Sequence, residues 1–149
     1  MLVAPLEGIS EVRLLNNVDG SQFVSVHLAG PIRAAGGTAQ ALAVLIADML
    51  RRELNVGHYQ PTDPEVERVK EEFGLYRGNL QYRPSPQEID EIVRACPVMI
   101  NGESTERIEC AGYGNVRNID EPRIRGGVLW VIGEGMCLKA PKIQKHPER

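Results

Sequence analysis

Ala29-Gly30-Pro31-Ile32-Arg33-Ala34-Ala35-Gly36-Gly37-Thr38-Ala39-Gln40-Ala41-Leu42 is the stretch on which the reading of this chain turns. The alternating run Phe23–Leu28 enters it as a strand, the glycines are too dense for regular structure, and a helix begins near Thr38. Strand, glycine loop (30–37) and helix (38–54) leave two readings of the loop open. Backbone N–H groups around Gly36, Gly37 and Thr38 could approach an anion at the positive end of the helix, with Arg33 adding a fixed charge. Equally, the loop is a tight connection in which Gly36 and Gly37 take positive φ and the alanines allow close packing. It is neither a P-loop, since no GKS or GKT follows, nor a dinucleotide GxGxxG. In the helix, Leu42, Leu45, Ile46, Met49 and Leu50 recur at helical spacing among alanines, which predicts burial on most sides, with Gly57 as the stop.

Working outward, Glu11–Asn16 and Gln22–Leu28 flank Asp19-Gly20 and read as a hairpin over 11–28. Thr62-Asp63-Pro64-Glu65 and Ser85-Pro86-Gln87-Glu88 each combine a cap, a proline and a reciprocal glutamate, predicting helices over about 64–73 and 86–95, the second ended by Pro97. Val98–Ile100, the Asn101-Gly102 turn signal and Glu106–Cys110 suggest strands across 98–110, and Val128–Ile132 suggests a buried strand. The expected fold class is α+β, a single domain with five or six strands and three or four helices.

Arg125-Gly126-Gly127 is a second candidate for phosphate contact, joined by Lys139 and Lys142 of a basic tail over 139–149; the alternative is a turn followed by a solvated tail. Tyr76-Arg77 and Tyr82-Arg83 could touch nucleic acid or a neighbouring domain, whereas Trp130 alternates with apolar neighbours and reads as core. From Asp63 to Glu91 there are eight acids against four bases, and from Arg123 to Arg149 six bases against two acids, so the cationic end is C-terminal. A net charge of −3 excludes a freestanding basic nucleic-acid coat but not a local basic face. Cys96, Cys110 and Cys137 lack CxxC spacing and His27, His58 and His146 are isolated, so no metal or disulfide framework is expected. No acid pair or Ser–His–Asp set suggests catalysis, and no run is long enough for a membrane span.

The glycine stretch closely resembles the AGPIRxxGGTAQAL segment of the large subunit of the archaeal family-D DNA polymerases. The likeness continues through Ala4-Pro5-Leu6-Glu7-Gly8-Ile9, Leu80-Gln81-Tyr82-Arg83-Pro84-Ser85-Pro86, Arg125-Gly126-Gly127, Glu134-Gly135 and Lys139-Ala140-Pro141-Lys142. It implies a segment from the N-terminal part of that subunit, before a catalytic core whose magnesium-binding aspartates lie beyond residue 149. The implied partners are the rest of the large subunit, a small subunit carrying a 3′–5′ exonuclease, and DNA, in the cytoplasm. The segment itself is then expected to hold no cofactor and no catalytic residue. Its expected role is an accessory domain, with a KH-like fold as one option, that faces DNA through Arg33, Gly36, Gly37, Thr38, Arg125, Gly126, Gly127, Lys139 and Lys142. A purely structural module is the alternative, and an independent phosphate-ligand enzyme the least favoured.

Overall fold

Asp19 organises the first turn: Ser21 donates to its carboxylate from both backbone N and Oγ, at 2.9 and 2.6 Å, while Gly20 takes φ 89°. The computed structural model describes residues 8–141 and shows β1 (Ile9–Asn16) antiparallel to β2 (Gln22–Leu28). β2 pairs in parallel with β3 (Met99–Gly102), giving the order β1-β2-β3. A parallel neighbour requires a crossover, and here it contains three helices: α1 (Gly37–Glu53), α2 (Asp63–Leu75) and α3 (Pro86–Ala95). A last helix, α4 (Gly126–Trp130), continues without a break into a π-helical stretch, Val131–Lys139. Residues Phe23–Leu28 of the central strand are all buried, whereas β1 is mostly exposed and, among the described residues, has one unpaired edge.

Both capping boxes close. Thr62 N donates to Glu65 Oε1 at 2.9 Å and Glu65 N to Thr62 Oγ1 at 3.4 Å; Ser85 and Glu88 exchange the same bonds at 2.9 and 3.1 Å. α1 ends at Glu53 with Leu54 as its C-cap, and Asn55 just beyond, at φ 60°, takes the left-handed position expected of Gly57. Gly57 is small for another reason: a Cβ there would stand 2.9 Å from the Gln22 carbonyl.

The fold is α+β, with three strands among the described residues rather than five or six. Residues 128–132, expected as a strand, are helical. Their unbroken apolar run reflects burial on every side, and burial of that kind carries no period to separate strand from helix. Of the strands expected over 98–110, β3 alone forms. Glu109 makes only an isolated bridge to Arg123: the backbone of this stretch pairs at scattered points, Thr105 N and Glu106 N donating to the Ile124 carbonyl, Ile124 N to that of Ile108 and Cys110 N to that of Pro122, without a continuous ladder. The inward face of α1 also differs. Gln40, Ala41, Ala43, Val44, Ala47 and Asp48 are buried, while Leu42, Ile46 and Met49 are exposed. The helix packs on the π-helical stretch closely enough that a Cβ on Gly135 would lie 3.2 Å from Gln40 Cβ, and only small side chains fit that seam.

Beneath the sheet end lies a buried charge network. Arg125 donates to Glu72 from its backbone N (3.0 Å), Nε (3.0 Å) and Nη2 (2.7 Å), and from Nη1 to Asn101 Oδ1 (2.9 Å). Arg68 reaches the same carboxylate at 3.3 Å and the carbonyls of Glu121 and Arg123 at 2.9 Å each. Burial disfavours the Arg125 charge, but the adjacent Glu72 carboxylate outweighs it and holds the guanidinium above the ordinary arginine range.

Removing one partner of a buried ion pair strands the other. Glu72→Gln should therefore lower unfolding free energy by about 3–5 kcal/mol in urea titration. Glycine substitutions should divide by contact. Gly127→Ala, whose Cβ would meet Ile32 Cγ2 at 2.9 Å, should lower the urea midpoint. Gly74→Ala, exposed in α2 with open space around it, should raise it.

Candidate functional site

The chain leaves β2 through Gly30–Ala34, a single 3-10 turn with Pro31 near its start, and reaches α1 at Gly36. Gly36 has φ 88°, and no described atom lies within 4 Å of the point a Cβ would occupy, so glycine is needed there for backbone conformation and not for space. α1 then begins with no side-chain cap and no acidic residue in its first turn. Its first N–H groups open onto a shallow cleft of about 460 Å³. Arg33, Gly36, Gly37, Thr38 and Lys139 line this cleft together, along with Glu134. The Lys139 stem crosses Gly37, where a Cβ would come 2.5 Å from Lys139 Cγ. Arg33 is oriented by Nε donating to the Gly30 carbonyl at 3.0 Å and makes a loose 3.5 Å pair with Glu106, its side chain 39% exposed.

An uncapped helix N-terminus with two cationic side chains beside it is an arrangement that an anion would complete. Glu134 is the one acid lining the cleft; burial pushes its carboxyl above the usual range, with Lys139 pulling the other way. Sequence reading missed Glu134 as a cleft residue. It stands five residues before Lys139, the hydrogen-bonding period of a π-helix, and an expected strand nearby concealed that relation.

The other expected contacts do not join this cleft. Arg125 is 1% exposed and its guanidinium is engaged by Glu72 and Asn101, which corrects the expectation of a phosphate contact there. Gly126 N donates to Thr105 Oγ1 at 2.8 Å, and Gly127 lies against Ile32, so this pair serves close packing. Lys142, with the rest of the basic tail beyond residue 141, lies outside the described residues. In the aromatic-basic loop, Arg83 donates to the Phe73 and Tyr76 carbonyls at 2.6 and 3.2 Å and so closes the end of α2. Tyr76 OH accepts from Trp130 Nε1 at 2.9 Å, and Tyr82 OH donates to Glu88 at 2.7 Å.

The comparisons with known proteins agree over the full length. The family model described as DNA polymerase II large subunit DP2, N-terminal, matches residues 1–149. The chain belongs to this family. Proteins named DNA polymerase II large subunit share 52% identity over all of the chain in Methanocella arvoryzae, 51% over 98% in Picrophilus torridus and 49% over 97% in Archaeoglobus fulgidus. The chain spans 13%, 14% and 12% of those relatives' lengths. It therefore corresponds to an N-terminal part of a much longer polymerase subunit.

A second polar depression, about 260 Å³, is lined by Glu11, Arg13, His27, Asn101, Glu103 and Asp120 among others. His27 is buried there with no hydrogen-bond partner for Nε2 among the described residues; burial, reinforced by Arg13, lowers its pKa from 6.5 to about 4. The unfolded chain thus binds the proton more tightly than the folded one. Stability from a neutral His27 is fully present above the unfolded value of 6.5 and is lost as pH falls toward about 4. Urea midpoints measured across that window should fall less steeply in His27→Gln than in the unsubstituted chain.

Proposed function

We propose that this chain is a non-catalytic module of a DNA polymerase large subunit that borders the DNA path and receives a backbone phosphate at the N-terminus of α1. The observation that carries the reading is the convergence of that uncapped helix end with Arg33 and Lys139 in one open cleft. Such a contact would position DNA without reading its sequence, since the phosphates are common to every base pair. The relatives' name supports DNA as the partner. On the same reading, synthesis and its magnesium ions belong to the remainder of the subunit, proofreading to a small subunit, and the assembly works in the cytoplasm. No described helix is long and apolar enough to cross a membrane.

A purely structural role is the second reading, favoured by the burial of Arg125, Gly126 and Gly127. Titration with labelled primer–template DNA separates the two. Binding should be weak and should decline with added salt, and Arg33→Ala and Lys139→Ala should each weaken it and reduce the log–log salt slope by about 1. Binding and slope unchanged in the double variant would select the structural role.

A further inference from the structure

The described exposed large apolar side chains are unevenly placed. Val12, Leu14, Val18, Leu42, Ile46, Met49 and Leu54 belong to β1, its turn and α1 with its C-cap; Tyr113 alone lies elsewhere. On α1, Leu42, Ile46 and Met49 follow at i, i+4 and i+7 and so form one stripe. On β1, Val12 and Leu14 stand opposite Val26 and Val24 of β2, on the same sheet face. β1 and α1 also run toward the same end of the molecule. The segment after α1 is tied to the β1–β2 turn by Asn17, which donates to the His58 carbonyl at 2.8 Å and accepts from Gln60 N at 2.8 Å. Met49 and Leu54 therefore lie toward the end of the molecule where Val18 stands.

Scattered apolar residues are ordinary on a surface, but a helical stripe of them, with more on an edge strand, is not. Met49 is 58% exposed and Leu14 50%. The same helix buries its alanine side against the π-helical stretch, so its larger side chains are the ones left without a partner among the described residues.

We infer that the α1 stripe, together with the exposed apolar side chains of β1, is the surface on which the rest of the large subunit docks. The occupant follows from chain length. The polymerase subunits that this chain matches are more than seven times as long as the matched part, which covers 13% of the Methanocella arvoryzae subunit, so most of the polypeptide lies outside the structure and shares its chain. A segment covalently joined to this one meets it at high effective concentration and needs only modest complementarity to stay in place. The apolar character fits a permanent contact better than one that must release. Arg33 and Lys139 are not part of the stripe, which reaches the cleft only at Thr38, one turn before Leu42.

The inference rests on reading the chain as one part of a large subunit and is independent of the phosphate contact. Its test uses the full-length large subunit, with Leu42→Cys, Met49→Cys or, as an exposed reference on α3, away from the stripe, Glu91→Cys. Each variant is treated with a maleimide under native conditions, and labelling is read peptide by peptide by mass spectrometry. Leu42→Cys and Met49→Cys should label at least about ten-fold more slowly than Glu91→Cys, without DNA or small subunit and independently of protein concentration, and should match it in denaturant. Equal native rates would overturn the docking surface. Protection that grows with protein concentration would assign the face to a second copy, and protection that appears only with the small subunit would assign it to that partner; either result overturns the inference. Protection alongside unchanged DNA binding in the Arg33→Ala, Lys139→Ala variant would leave docking standing while removing the phosphate contact.

Discussion

One buried carboxylate holds the far parts of this chain together. Glu72 of α2 accepts from two arginines, Arg68 one turn before it and Arg125 fifty-three residues later, at the start of α4. Two guanidiniums against one carboxylate leave a positive excess in the interior. The carbonyls of Tyr113, Glu121 and Arg123 and the Asn101 side chain supply further acceptors, while Arg68 Nε has none among the described residues. Those partners lie on β3 and on the long connection from Glu103 to Arg125, which has almost no ladder of its own. An ion cluster of this kind contributes little net stability over an apolar core. Its directional bonds admit few alternative arrangements, and we regard that as its service here: it sets where the irregular segment lies and where the last helix begins.

From that starting point the last helix is pressed from several sides. A Cβ on Gly127 would meet Ile32, one on Gly133 would stand 2.7 Å from the Tyr82 carbonyl, and one on Gly135 would crowd Gln40. These three glycines let the helix pass between the 30–34 turn, the 76–84 loop and α1. The same closeness accounts for the small-residue seam of α1, and thereby for the apolar stripe displaced to its outer side. The glycine loop and the Arg125-Gly126-Gly127 motif, which look alike as arginine beside glycine, thus have different physical lives. Arg33 is oriented at a surface cleft and Arg125 is sealed inside.

Local chemistry was legible wherever a few neighbouring residues settle the outcome. The capping boxes at Thr62 and Ser85 and the Asp19-Gly20 turn are of this kind, since each bond closes within four residues. The cleft was partly legible: Arg33, Gly36, Gly37 and Thr38 fall within one short stretch, but Glu134 and Lys139 arrive from another helix. The inward face of α1 was misread because helical spacing of large apolar residues normally marks the buried side. Here the neighbouring helix comes too near for them, and alanine and Gln40 take their place.

The amino-acid sequence by itself determined the α+β class, the family through the long match around Ala29–Leu42, and the helix starts, because capping and signature motifs are local and read in order. Only the tertiary structure decided that Val128–Ile132 is helical, that Arg125 is a core residue and that Leu42, Ile46 and Met49 face outward. Each of those outcomes depends on what lies across the interior, tens of residues away, and the free energy of burial answers to that neighbour and not to the order of the chain.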